Sequence, residues 1–183
     1  LPEEKVIEWT KQVLLVLDYL HNQKPPIVYR DIKPANIMLH KDNRVMLIDF
    51  GIARTIQHGS QTTKTVIGTP GYSPVEQYKG KVEPRSDIYS LGATMHHLIT
   101  GLEPVPFKFE PLRKINPKIS PELESIVIKT LKDDLRERFS SAKEMMDSLN
   151  FDNIDNWNKK GMELYNQGKY GEAIRYYDKA LEK

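Results

Sequence analysis

The sequence predicts a mainly α-helical protein with one small β-hairpin, divided near residue 150 into a larger and a smaller unit. Three observations point there. Apolar residues recur at helical spacing over two long stretches, 6–20 and 88–99. Three apolar runs, at 27–29, 37–39 and 45–48, are too short for helices and read as strands. After a polar stretch at 151–156, a new pattern of small and aromatic residues begins.

Taken in order, Pro2-Glu3-Glu4 starts a helix, with proline at the first position and acids in the first turn. Val6, Val13, Leu14, Leu17 and Leu20 form its buried stripe until about Asn22, and Pro25-Pro26 end it. Asn36 to Ile48 reads as a hairpin turning at Lys41-Asp42-Asn43. The polar segment from Thr55 to Lys64 reads as a mobile loop. Ser86 to Thr100 combines Ile88, Leu91, Met95, Leu98 and Ile99 with the small faces of Gly92 and Ala93. This is a helix buried on most sides and ended by Gly101. Pro104, Pro106, Pro111, Pro117 and Pro121 make the next stretch an irregular connection. Two further helices follow, at about 121–132 and 140–149, the second capped by Ser140 or Ser141.

Composition narrows the function classes. The 183 residues are 39% hydrophobic and 28% charged, a globular profile. A net charge of +2 gives no footing for nucleic-acid binding. The absence of cysteine excludes disulfides and thiolate zinc sites, and a cytoplasmic location is expected. No apolar run approaches the roughly 18 residues of a membrane span. The chain opens on Leu1 with no leader-like segment, and is expected to be a piece of a longer protein.

The chemistry concentrates in V-Y-R-D-I-K-P-A-N, Val28 to Asn36. The Asp31 carboxylate can accept a hydroxyl proton, the Lys33 ammonium can neutralise phosphate, and the Asn36 amide oxygen can ligate a hard cation. Asp49-Phe50-Gly51 delivers a second acid from a strand end, with Gly51 free to turn the chain away. Acid, lysine, amide and acid make a phosphoryl-transfer set. Standing alone, Asp31 and Asn36 could equally cap turns beside prolines. The neighbours His96 and His97 point about 100° apart on a helix and do not suit a shared metal.

These residues belong to an ordered series. D-I-K-P-A-N, D-F-G, G-T-P-G-Y-S-P-V-E and D-I-Y-S-L-G together resemble the C-terminal lobe of Ser/Thr protein kinases, closest to the prokaryotic relatives of the eukaryotic type. The resemblance covers roughly residues 1–150. It implies ATP and Mg2+ as cofactors and protein Ser/Thr hydroxyls as acceptors. It makes Asp31 the catalytic acid that orients the hydroxyl, and Lys33 the lysine that steadies the γ-phosphate. Asn36 and Asp49 become the magnesium ligands, and Met38 the floor of the adenine pocket. Thr69 would bond both Asp31 and Lys33. Glu76 would pair with Arg138, and Asp87 would hold the catalytic-loop backbone. Arg30 would meet a phosphate on the segment from Asp49 to Glu76, with Thr62, Thr63, Thr65 and Ser60 as candidates. Tyr29 stands where the family usually has histidine, and is expected to pack on Phe50 and bond backbone in its place. Pro74-Val75 replace the usual Ala-Pro before the glutamate. The chain contains no G-x-G-x-x-G turn and no V-A-I-K strand, so the resemblance implies an N-terminal lobe outside these residues. The fragment alone is expected to be inactive. A pseudokinase scaffold, in which repeats at the C-terminal end are the working part, is the alternative, though it would have no chemical need for Asp31, Lys33, Asn36 and Asp49 together.

Residues 151–183 carry Trp157, Gly161, Leu164, Gly168, Tyr170, Ala173, Tyr177 and Ala180, a spacing that resembles one truncated tetratricopeptide repeat. Two helices, about 155–167 and 170–183, would meet through Gly161 and Ala173, with Trp157, Tyr170 and Tyr177 as aromatic plugs. A single repeat cannot bury its own faces. Further repeats are therefore expected, and with them protein or peptide partners.

Overall fold

The computed structural model describes residues 1–50, 54–55, 68–151 and 154–181. They form two compact units, Leu1–Met146 and Asp147–Lys183.

The first unit opens with α1, Glu3–His21. Pro2 sits in extended backbone just before it, one place earlier than the sequence suggested, and Glu3 and Glu4 occupy the first turn. Val6, Val13, Leu14, Leu17 and Leu20 are all buried, as their helical spacing required, together with Ile7 and Thr10. A short strand β1, Ile27–Val28, pairs antiparallel with β4, Arg54–Thr55. This second two-stranded sheet was not expected. Between them, β2 (Ile37–Leu39) and β3 (Val45–Leu47) form the predicted hairpin, with Met38 opposite Met46. Its turn closes on Asn43, whose φ of 66° suits asparagine among the non-glycine residues. Trp9 and Gln12 of α1 hold that turn, the Trp9 Nε1 donating to the Asn43 side-chain oxygen at 2.9 Å.

A four-residue helix α2, Val75–Tyr78, precedes α3, Pro84–Thr100. Helix α3 packs against α1, β1, α4 (Leu112–Ile115) and α5 (Pro121–Thr130), so nearly its whole circumference is buried. It starts with a capping box, in which the Glu83 side chain accepts from the Ser86 backbone and the Ser86 hydroxyl accepts from the Glu83 backbone. Gly101 ends it with a φ of 73°. Gly92 lets α5 come close: a Cβ there would collide with the Thr130 hydroxyl. The proline-rich stretch after α3 is irregular, as expected, except for α4 within it. Helix α6, Ala142–Ser148, is capped by Ser141, whose Oγ accepts from Glu144 N at 3.1 Å.

The second unit is a helical hairpin of α7, Ile154–Asn166, and α8, Tyr170–Leu181. Gly161 faces the Tyr177 ring so tightly that any Cβ would strike it, and Ala173 is buried. Trp157 and Leu164 are buried too. Tyr170 departs from expectation: it is 58% exposed and packs edge-on against Tyr165, so it is no interior plug. Among the described residues no helix is long and apolar enough to cross a membrane.

Candidate active site

The loop after β1 is held by a carboxylate from far along the chain. Asp87 of α3, fully buried, accepts from the backbone N–H groups of Tyr29 at 2.8 Å and Arg30 at 2.7 Å. His21 Nε2, at the end of α1, lies 2.9 Å from the same carboxylate. Arg30 has a φ of 77°, uncommon for a side chain of its size, and its carbonyl accepts from the buried Gln77 amide at 2.8 Å. The loop then runs through a 3-10 turn, Pro34–Asn36, into β2. Thr94 of α3 donates to the Ile32 carbonyl at 3.3 Å.

This scaffold brings Asp31, Lys33, Asn36 and Thr69 into one network. Thr69 Oγ1 donates to Asp31 Oδ1 and accepts from Lys33 Nζ, both at 2.7 Å. Lys33 Nζ also lies 2.9 Å from Asp31 Oδ2. The Asn36 amide nitrogen donates to the Asp31 carbonyl and carboxylate, each at 2.8 Å. Burial pushes the Asp31 carboxyl up, but the hydrogen bonds from Lys33, Thr69 and Asn36 outweigh it and hold the group below its ordinary value. Asp31 is therefore ionised at neutral pH.

Asp49 lies beside this network because Ile48 is tethered at both ends. Its N–H donates to the Asn36 carbonyl at 3.0 Å, and its own carbonyl accepts from the Tyr29 hydroxyl. Asp49 is exposed and turns with a φ of 62°, so the sharp bend expected at Gly51 is already under way two residues earlier. Phe50 meets the Tyr29 ring edge-on, centroids 5.1 Å apart. Tyr29 thus supplies a ring and a polar tip at the family's usual histidine position. Its hydroxyl is pushed up to about 12 by burial and by the nearby carboxylates of Asp31, Asp49 and Asp87.

Asn36 suits a hard cation. Both of its bonds leave through nitrogen, so its amide oxygen remains as a ligand, and Asp49 offers a carboxylate on the adjoining strand end. Among the described residues no three His, Asp or Glu side chains cluster so as to hold a metal ion. Met38 lies 46% exposed on β2.

Two anchors lie away from the network. Arg138 grips Glu76 with two nitrogens, at 2.7 and 3.2 Å, and both side chains are buried. Ser86 adds a third bond to Glu76 at 2.9 Å, and the guanidinium lies over the Tyr89 ring. Gly51, Ser60, Thr62, Thr63 and Thr65 lie outside the described residues. His96 and His97 share no site: His96 Nε2 bonds the Glu110 carbonyl, and His97 Nδ1 bonds the Tyr72 hydroxyl. His21, Gln77, Ser86 and Thr94 were missed in the sequence, since each acts through a partner that spacing does not reveal.

The acid–lysine–amide–acid set on this fold has the groups that phosphoryl transfer calls for. A family model for the protein kinase domain matches residues 1–151, and one for the tetratricopeptide repeat matches residues 154–183. The chain belongs to the protein kinase family and ends in a tetratricopeptide repeat. Among its relatives, the serine/threonine-protein kinase PknA of Nostoc is 39% identical over 162 residues, 81% of this chain and 28% of that protein. The serine/threonine-protein kinase PknB of Mycobacterium leprae is 36% identical over 165 residues, 81% of this chain and 26% of that protein. The chain spans about a quarter of the length of such relatives. Protein kinases in general use ATP with a divalent metal and act on proteins, and tetratricopeptide repeats bind proteins.

Proposed function

We propose that the protein to which this chain belongs is a Ser/Thr protein kinase that transfers the γ-phosphoryl group of ATP to protein hydroxyls. One observation carries the reading: Thr69 bridges Asp31 and Lys33 at 2.7 Å each, fixing a carboxylate and an ammonium side by side on a loop held by Asp87. Asp31, kept ionised, orients the acceptor hydroxyl and takes its proton. Lys33 offers positive charge where the transferring phosphate must pass. The oxygen of Asn36 and the carboxylate of Asp49 would hold Mg2+, which supplies charge neutralisation on the phosphates when bound. Met38 would lie under the adenine, and its exposure on β2 leaves the surface open for it. Exposed Met46, Ile48 and Phe50 extend that apolar face, which suits coverage by a further lobe carrying the remaining phosphate grips.

The catalytic unit is assigned to residues 1–150 and the repeat to 151–183. The cytoplasm is the proposed location, and the repeat is proposed to recruit protein partners. Arg30 is proposed to receive a phosphate from the segment containing Ser60, Thr62, Thr63 and Thr65.

Transfer of labelled phosphate by the intact protein tests the reading. Asp31→Asn should lower kcat by about 10² to 10⁴, the usual worth of a positioned base. Asp49→Asn should weaken the response to added Mg2+. Equal labelling by all three proteins overturns the mechanism.

A further inference from the structure

The hairpin that carries Met38 and leads to Asn36 and Asp49 is held little by burial. Across β2 and β3 only Leu47 is buried, and Met38 and Met46 stand 46% and 40% exposed. A lone two-stranded hairpin is marginal in water, so polar contacts carry much of the work of fixing its direction. Its root is tied to the Asp31 network. The Ile48 N–H donates to the Asn36 carbonyl at 3.0 Å, and the Asn36 amide nitrogen donates to Asp31. The Ile48 carbonyl accepts from the Tyr29 hydroxyl.

Its tip is held by one turn of α1. The Ile48 N–H and the Arg44 carbonyl both face β2, where Asn36 and His40 are their partners. Antiparallel strands alternate the direction of these groups residue by residue, so the Val45 N–H faces outward, away from β2. Gln12 meets that outer edge as the peptide group of a third strand would. Its Oε1 accepts from the Val45 N–H at 2.8 Å, and its Nε2 donates to the Asn43 carbonyl at 3.0 Å. Trp9 Nε1 donates to the Asn43 side-chain oxygen at 2.9 Å, and the Glu8 carboxylate accepts from the Asn43 amide nitrogen. These three residues belong to a helix whose other side is locked into the core by Val6, Val13, Leu14 and Leu17. The grip on the tip is therefore rigid.

We propose that Gln12 is a positioning residue for the nucleotide. By pinning the tip of the hairpin it sets the tilt of the face that Met38 and Met46 form, directly opposite each other across the strands. The proposal rests on the kinase reading above, in which the adenine lies on Met38. It deepens that reading by assigning nucleotide affinity to a side chain on α1 that touches neither ATP nor any reacting atom. Root and tip are held by different groups, so they fail separately. A hairpin released at its tip and still tied at its root tilts along its length, and Met38 moves more than Asn36. Loss of Gln12 should therefore weaken the hold on the purine and spare the groups that serve the metal and the acceptor hydroxyl.

The test uses the intact protein and three measurements. Gln12→Leu keeps the bulk of the side chain and removes both bonds. It should raise KM for ATP about fivefold, the worth of about one net hydrogen bond, with kcat and the Mg2+ requirement held within about twofold. Trp9→Phe removes a bond to the same turn from a different residue, and should move KM in the same direction by about twofold. The second measurement is binding of a fluorescent ATP analogue, made without turnover in an Asp31→Asn background, where Gln12→Leu should weaken binding by the same factor as it raises KM. The third is amide hydrogen exchange without nucleotide. The Val45 amide should exchange about tenfold faster in Gln12→Leu while Leu14 and Leu17 keep their protection, which separates a loosened hairpin from an unfolded α1. Unchanged KM and unchanged binding in Gln12→Leu, beside a wild type that binds ATP, overturn the proposal. So does a kcat that falls as far as KM rises, because Gln12 would then support the whole site and not the nucleotide face. Failure of the kinase reading looks different: no protein, wild type included, would bind or use ATP.

Discussion

Thr69 shows how much one hydroxyl can arrange. It donates to Asp31 and accepts from Lys33, so it braces the direct ion pair that those two groups make at 2.9 Å. The same bond helps keep the Asp31 carboxyl low, against the upward push of burial. Replacing Thr69 with valine keeps the shape and removes both bonds. In the intact protein, kcat should fall about tenfold or more, a hydrogen bond to a charged group being worth about 1.5–3 kcal/mol. The sign of the pH effect follows from the same bond. A base must be deprotonated to work, so the acid limb of the rate profile tracks its pKa. Without Thr69 that pKa rises, and the acid limb should move to higher pH. Thr69→Ser should restore both rate and profile; a profile that stays put in Thr69→Val would remove the bond from the mechanism.

Between elements, the buried Glu76–Arg138 pair ties α2 to the turn before α6. The guanidinium also donates to the carbonyls of Lys132, Arg85 and Asp133, so little of its charge is left unanswered. Losing one partner strands the other in the interior. Arg138→Met should therefore cost about 3–5 kcal/mol in urea unfolding, and Glu76→Gln a similar amount. The double variant should cost less than the sum of the two. Equal costs, strictly additive, would mean the pair acts as two separate residues. These same elements show what could be read in advance. The helices α1 and α3 were legible because their apolar stripes are long, and the β2–β3 hairpin because its turn residues stand between two short apolar runs. The candidate site residues could be proposed because they lie close together in sequence or belong to an ordered series. The β1–β4 pair was not, since two-residue strands leave no periodicity and form only when the chain brings them together. His21 and Gln77 were hidden for the same reason: one bonds Asp87 across 66 residues and the other Arg30 across 47. Tyr170 misled because an aromatic at repeat spacing reads as interior, while here it packs only edge-on against Tyr165 and stays 58% exposed.

At the scale of the whole chain, the two units differ in how completely they bury themselves. The first encloses α3 on nearly all sides. In the second, Met162, Tyr165, Tyr170, Ile174 and Leu181 stand 57–84% exposed on a hairpin of two helices. A lone repeat has no neighbour to cover that face, and stacked repeats derive much of their stability from one another. Residues 147–183 taken alone should show weak, broadly melting helicity by circular dichroism, whereas the same segment followed by at least two further repeats should melt sharply. A sharp, cooperative transition of the isolated hairpin would mean that it is self-sufficient.

The bonds from Asp87 to the Tyr29 and Arg30 amides have a consequence for the time at which the site comes into being. These amides lie in a loop, where exchange with solvent is ordinarily fast, yet their acceptor sits at the start of a helix 57 residues further on. Their hydrogen exchange should therefore be as slow as that of the α3 interior and accelerate with it in denaturant. Fast exchange at Arg30 with α3 still protected would break that link. If it holds, the loop is completed no earlier than α3. Newly synthesised chain gains its catalytic geometry only after α3 has emerged and docked.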